Sequence, residues 1–127
     1  MIESVDVFFY GLFMDADVLR SHGASPRRGR AAFVADHVVQ LRTKAILLRA
    51  AGERAYGMVY SLTRREMQAL YRNVQGYEEQ LVTAHLRDGT GIAAASMVHR
   101  SPPLSTPIDP KYAAQWTAIL MRLGLPF

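Results

Sequence analysis

The sequence has no cysteine among its 127 residues, a single tryptophan and no long apolar run. Without thiols there is no disulfide scaffold, no Cys-ligated zinc, no iron–sulfur cluster and no thiol nucleophile. No stretch approaches the roughly 18 consecutive apolar residues that a membrane-spanning helix needs. The opening Met1-Ile2-Glu3-Ser4 also lacks the basic start and apolar body of a signal peptide. The expectation is a cytoplasmic protein without membrane association. Charge of one sign is modest too, with 15 Lys and Arg against 11 Asp and Glu for a net +4. The densest basic group, Arg27, Arg28 and Arg30, lies in a Gly/Ser/Pro stretch and has no aromatic interleaving. No nucleic-acid footprint is therefore expected.

What is present is a 50% hydrophobic chain of a size that suits one domain spanning residues 1–127. Such a chain buries roughly two thirds of its unfolded surface and needs no staple. Val5-Asp6-Val7-Phe8-Phe9-Tyr10 is β-branched and aromatic and ends at Gly11, which predicts a buried first strand running into a turn. Asp15 or Asp17 then caps a short helix closed by His22-Gly23. From Gly29 to Leu48 the residues fit one long bent strand or two consecutive ones. Ala51-Gly52-Glu53 reads as a turn and Ala55 to Leu62 as a further strand, in which Gly57 marks a bulge or a close backbone contact.

Thr63-Arg64-Arg65-Glu66 has capping-box spacing. Met67, Leu70, Tyr71 and Val74 follow as one apolar stripe, and Gly76 stands where a glycine would end that helix. Gln80 to Arg87 and Ile92 to Val98 form a hairpin across a Gly-rich connection, pairing His85 near residue 94 and His99 near residue 80. Prolines make 102–110 irregular, and Asp109 with Pro110 opens a last helix whose buried side holds Tyr112, Trp116, Ile119 or Leu120, and Leu123. This order lacks regular βαβ alternation. It predicts an α+β fold with a curled sheet or small β-barrel flanked by helices.

Few constellations point to chemistry. His22, His37, His85 and His99 show no metal-ligand spacing, and Gly89-Thr90-Gly91 is a turn between strands. Neither a metal nor a cofactor is expected. A polar and aromatic set does gather at element ends, where pockets form: Tyr10-Gly11, Tyr60, and Gln75-Gly76-Tyr77.

Taken in order, the motifs resemble a known family. Val7-Phe8-Phe9-Tyr10-Gly11-Leu12-Phe13-Met14 is similar to the opening strand and loop of the gamma-glutamylcyclotransferase-like family, which includes the AIG2-like proteins. Tyr56 to Leu62 resembles its middle strand, Met67 to Tyr77 its helix ending in an LDxxEG motif, and Tyr112 to Pro126 its closing helix. The resemblance implies a small mixed β-barrel with helices around it and a cavity at the end of the first strand. It also implies a cofactor-free reaction in which the α-amine of a γ-glutamyl compound attacks its own γ-carbonyl, releasing 5-oxoproline. In the family, loop amides hold the substrate carboxylate and the motif Glu moves the proton.

The chain departs from that pattern where chemistry is expected. Leu12 replaces the loop Ser or Thr, Phe13 the following Leu, Arg72 the motif Asp and Gln75 the catalytic Glu. An amide cannot take a proton near neutral pH, so losing the base costs roughly 10²–10⁴ in rate. Glu78 is a candidate substitute, since strand alternation puts it on the face of Val82, Ala84 and Leu86. The candidate site is thus Gln75 and Glu78 for catalysis, with Tyr10, Gly11, Leu12, Phe13, Tyr60 and Gly76 for binding. Two function classes follow. One is a divergent enzyme acting on a γ-glutamyl, amide or related small ligand, and the other a non-catalytic small-molecule-binding or protein-interaction module. The oligomeric state stays open, a homodimer included.

Overall fold

In the computed structural model, residues 3–127 are described; Met1 and Ile2, read above against a signal peptide, lie outside them. Five strands close into a barrel in the order β1-β3-β2-β4-β5. They are β1 (Ser4–Phe9), β2 (Arg27–Leu41), β3 (Ala45–Thr63), β4 (Tyr77–Leu86) and β5 (Gly91–His99). Three helices pack around it, α1 (Ala16–Ser21), α2 (Arg64–Leu70) and α3 (Pro110–Leu123), with a 3-10 turn over Leu12–Met14. All neighbours are antiparallel except β5 against β1, which meet in parallel at Val7 and Ala95. Beside that short parallel contact the buried Ser96 hydroxyl donates to the Phe8 carbonyl at 3.2 Å. The sheet is therefore mixed, as expected from the sequence.

The strongly apolar β1 reflects two buried faces. Phe8 and Tyr10 pack with Val34, Val59, Val82 and Val98, whereas Val7 and Phe9 pack with Met14, Leu19, Met67 and Ile119 from the turn and the helices. Gly57 lets β1 come this close to β3, because a Cβ there would run into the Phe9 carbonyl and the Phe8 ring. Where polarity enters, it is satisfied: Asp6 accepts from Ser61 Oγ and Arg30 Nη2, both at 2.8 Å. Burial pushes the Asp6 carboxyl up, but these two hydrogen bonds outweigh it and hold the group below its ordinary value.

The caps fall where the sequence puts them. Thr63 and Glu66 close a reciprocal capping box on α2, Asp15 caps α1, and Asp109 with Pro110 starts α3. Three sequence expectations need correction. Ala51-Gly52-Glu53 is not a turn, since β3 runs through it; the Gly52 N–H donates to Asp36 Oδ1 at 2.9 Å across a bulge, and the real reversal is Arg42–Lys44. Gly-containing triplets serve bulges as well as turns, so the local signal was ambiguous. Second, α2 ends at Leu70 and not at Gly76. The next residues make only i→i+3 bonds, and Asn73 and Val74 are poor helix formers. Third, the β4–β5 register pairs His85 with Gly91 and His99 with Tyr77, because the turn is centred on Asp88, with the Leu86 N–H donating to the Thr90 carbonyl at 2.8 Å, and not between Gly89 and Thr90.

Candidate functional site

The end of β1 opens onto a cavity of about 440 Å³. Its floor begins at Tyr10 and continues through Gly11, Leu12 and Phe13. Val18 comes from α1 and His22 from its C-cap, Lys44 from the reversal before β3, Ala45 from the start of β3, and Ala69 and Leu70 from the end of α2. The unwound segment after α2 adds Tyr71, Asn73 and Val74, the start of β4 adds Tyr77, and α3 contributes Tyr112. The early end of α2 is what puts Tyr71 and Tyr77 in the same wall. Their rings lie 5.4 Å apart, and Phe13 meets Tyr71 edge-on at 5.9 Å.

Hydrogen bonds from below fix the Gly11–Met14 turn. Tyr60 Oη donates to the Met14 carbonyl at 2.6 Å, Trp116 Nε1 to the Tyr10 carbonyl at 2.8 Å, and Tyr10 Oη to the Met97 carbonyl at 2.7 Å. A Cβ on Gly11 would stand 2.9 Å from Tyr112 Oη, so the phenol could not keep its place over the turn. Burial pushes the phenols of Tyr10, Tyr71, Tyr77 and Tyr112 up, so all four stay protonated at neutral pH. For Tyr112 the amides of Ala45 and Leu12 pull the other way.

Behind Tyr77 stands His99, its ring 4.2 Å away and its Nε2 buried without a hydrogen-bond partner. Burial lowers its pKa, and the Lys44 charge adds to that. His22 is held differently. Its Nδ1 lies 2.9 Å from the Val18 carbonyl; a carbonyl only accepts, so Nδ1 carries a hydrogen there.

The residues nominated from the sequence separate into two groups. Tyr10, Gly11, Leu12 and Phe13 lie in the cavity wall. Tyr60 supports the turn from beneath, while Gln75, Gly76 and Glu78 are exposed and outside the lining. Glu78 sits 3.9 Å from Arg100. Sequence reasoning missed Lys44, Tyr71 and Tyr112, and it read the latter two as core positions of helices. The available signal was residue type: a tyrosine buries a ring but brings a hydroxyl that seeks water or a partner, so it favours cavity walls over sealed cores. Among the described residues the wall contains no carboxylate. It offers ring faces, phenol and ammonium donors, and one imidazole.

No family model matches the sequence, and no curated protein matches it by sequence. Solved structures do match it in three dimensions. The chain is similar to a gamma-glutamyl cyclotransferase at a TM-score of 0.84 and 18% identity, over 98% of this chain and 82% of that one. An uncharacterized protein from Homo sapiens superposes at 0.81 with 19% identity, over 98% of this chain and 83% of that one. An AIG2-like protein from Mus musculus superposes at 0.56 with 16% identity, over 84% and 86% of the two chains. The chain has the gamma-glutamyl-cyclotransferase-like fold, in a divergent sequence.

Proposed function

We propose that the chain binds a small γ-glutamyl, amide or related ligand in the cavity at the end of β1, with little or no cyclotransfer chemistry. The observation that carries this is the wall itself, which joins the Gly11–Phe13 turn to aromatic faces and, among the described residues, holds no carboxylate. Cyclisation of a γ-glutamyl compound requires an ammonium to lose its proton before it attacks. Gln75 stands where the resemblance implies a glutamate, and an amide does not accept that proton. Glu78 is turned to Arg100.

A second reading, a divergent enzyme, is favoured by His22 in the cavity wall, its ring oriented by the Nδ1 contact with the Val18 carbonyl. Release of 5-oxoproline from a panel of γ-glutamyl amino acids and amines separates the two, with binding followed by shifts of the Leu12 and Asn73 amide resonances. The expected result is binding without release by the wild type. Release by Gln75→Glu alone would mean that residue 75 reaches the reacting group and that its amide silences the chemistry. Release by the wild type that disappears in His22→Ala would replace the binding reading with the enzymatic one.

A further inference from the structure

The cavity wall carries chemistry that narrows its ligand. Lys44 reaches it from the Arg42–Lys44 reversal, and that reversal is tied down. The Arg42 N–H donates to the Lys44 carbonyl at 2.9 Å, the Asp109 N–H to the Arg42 carbonyl at 2.9 Å, and Arg42 Nε to the Leu104 carbonyl at 3.1 Å. A long side chain on an anchored turn delivers its charge to one region. Lys44 forms no ion pair with another described residue, so its ammonium is available to a ligand.

Much of the rest of the wall is apolar, with aromatic rings among aliphatic side chains. Phe13, Tyr71 and Tyr77 meet edge-on or tilted; His99 packs on Tyr77 and His22 meets Phe13 edge-on, so Tyr71, on which no other described ring stacks, is the ring that offers a face to a flat group. The hydroxyls of Tyr71 and Tyr77 donate to no other described residue, and neither is among the buried orphaned atoms, so they open to the cavity. As protonated phenols they are donors. Donors and a cation without a carboxylate make a wall that favours an anion. Aromatic walls alone attract cations, but here the Lys44 charge opposes one at short range.

We propose that the ligand is an organic acid with an aromatic or flat apolar body, its carboxylate met by Lys44 and the phenol donors and its body laid on the Tyr71 ring. This rests on the cavity being a binding site and specifies the class of molecule it takes. Lys44 reads the charge and the aromatic wall reads the ring.

The test uses probes that share one ring and differ in charge: 3-phenylpropanoate, 3-phenylpropanamide and 3-phenylpropylamine, with hexanoate as the acid without a ring. Each is titrated calorimetrically into the whole chain, and amide shifts locate the binding. The expected order puts 3-phenylpropanoate roughly three- to tenfold tighter than its amide, the range for a partly exposed charge pair. The amine and hexanoate should both bind more weakly than 3-phenylpropanoate. Lys44→Gln, a change at an exposed turn position, should erase the acid-over-amide preference with the melting temperature unchanged. Equal affinity for acid and amide in the wild type overturns the proposal, as does tighter binding of the amine or a preference that survives Lys44→Gln. Binding of γ-glutamyl compounds with none of 3-phenylpropanoate removes this inference and leaves the cavity a binding site. Binding of neither class removes both.

Discussion

The molecule holds two aromatic clusters built from the same residue types, and they have opposite fates. On the outer side of the barrel Phe33, Tyr56 and Phe127 pack together, with Phe33 and Phe127 each within 6 Å of the Tyr56 ring, at 5.7 and 5.3 Å. Their remaining surfaces are taken by the chain itself. Arg54 lies over Phe33 at 4.2 Å, Arg87 over Phe127 at 5.0 Å, and His85 stacks on Phe33 at 5.1 Å. Even the Tyr56 hydroxyl is used, donating to the Phe127 carbonyl at 3.4 Å. Around the cavity, in contrast, no described arginine lies over Phe13, Tyr71 or Tyr77; His99 packs on Tyr77 and His22 meets Phe13 edge-on, but Tyr71 carries no stacked ring and two hydroxyls stay open. An aromatic cluster becomes a site when the chain does not finish it. The outer cluster spends its rings on stability, whereas in the proposed function the cavity cluster leaves Tyr71 to a ligand.

The largest effect is expected from the strand pair that serves both clusters. Gly57 follows Tyr56 and faces β1, which leads into the cavity; Gly57→Ala should cost about 2–4 kcal/mol by overpacking against the Phe9 carbonyl and Phe8 ring. The urea midpoint reads this, at an unchanged slope. An alanine carried at full stability would show that the close approach is not tight.

A pair of substitutions then sets one cluster against the other. Phe127→Ala should lower stability by about 1 kcal/mol, since the ring is only partly buried, and leave ligand affinity alone. Tyr71→Leu keeps an apolar side chain, so stability should move by less than about 1.5 kcal/mol while affinity for a ring-bearing ligand falls several-fold. Equal loss of affinity in both variants would erase the distinction between the clusters.

The smallest effect comes through pH. His99, behind the cavity wall, has its pKa lowered from 6.5 by burial and by Lys44. The unfolded chain therefore binds this proton more readily than the folded one, and stability falls as pH drops below about 6.5. Asp6 and Glu66 are held below their ordinary 3.8 and 4.5 by hydrogen bonds that outweigh burial, so they add a second loss as pH falls through those values and below. Melting temperatures between pH 8 and pH 3 should show two descending steps, the first absent in His99→Gln. A flat profile above pH 5 would mean that the imidazole is solvated in both states.

Much of this architecture is legible in the residues because its causes are local. A capping box needs only Thr63 and Glu66 three positions apart, and a helix start needs only Asp109 before Pro110. Apolar residues along β1 identify a strand, and Gly57 signals a close approach without saying to what. The resemblance to the gamma-glutamylcyclotransferase-like family led to the right fold through the order of these local signs.

The sequence by itself determined the helix N-caps, the mixture of strands and helices and the turn after β1, since each depends on neighbours within a few positions; it left the strand count between Gly29 and Leu48 open. Only the tertiary structure decided which residues share a wall. Lys44 lies in the β2–β3 reversal, Tyr71 just past α2 and Tyr112 on α3, and their meeting depends on where that reversal falls and on α2 ending at Leu70. Both outcomes are set by barrel closure and long-range packing, which override the propensity of any one segment. The same closure left Gln75 and Glu78 outside the lining and placed four tyrosines and a lysine around an open space.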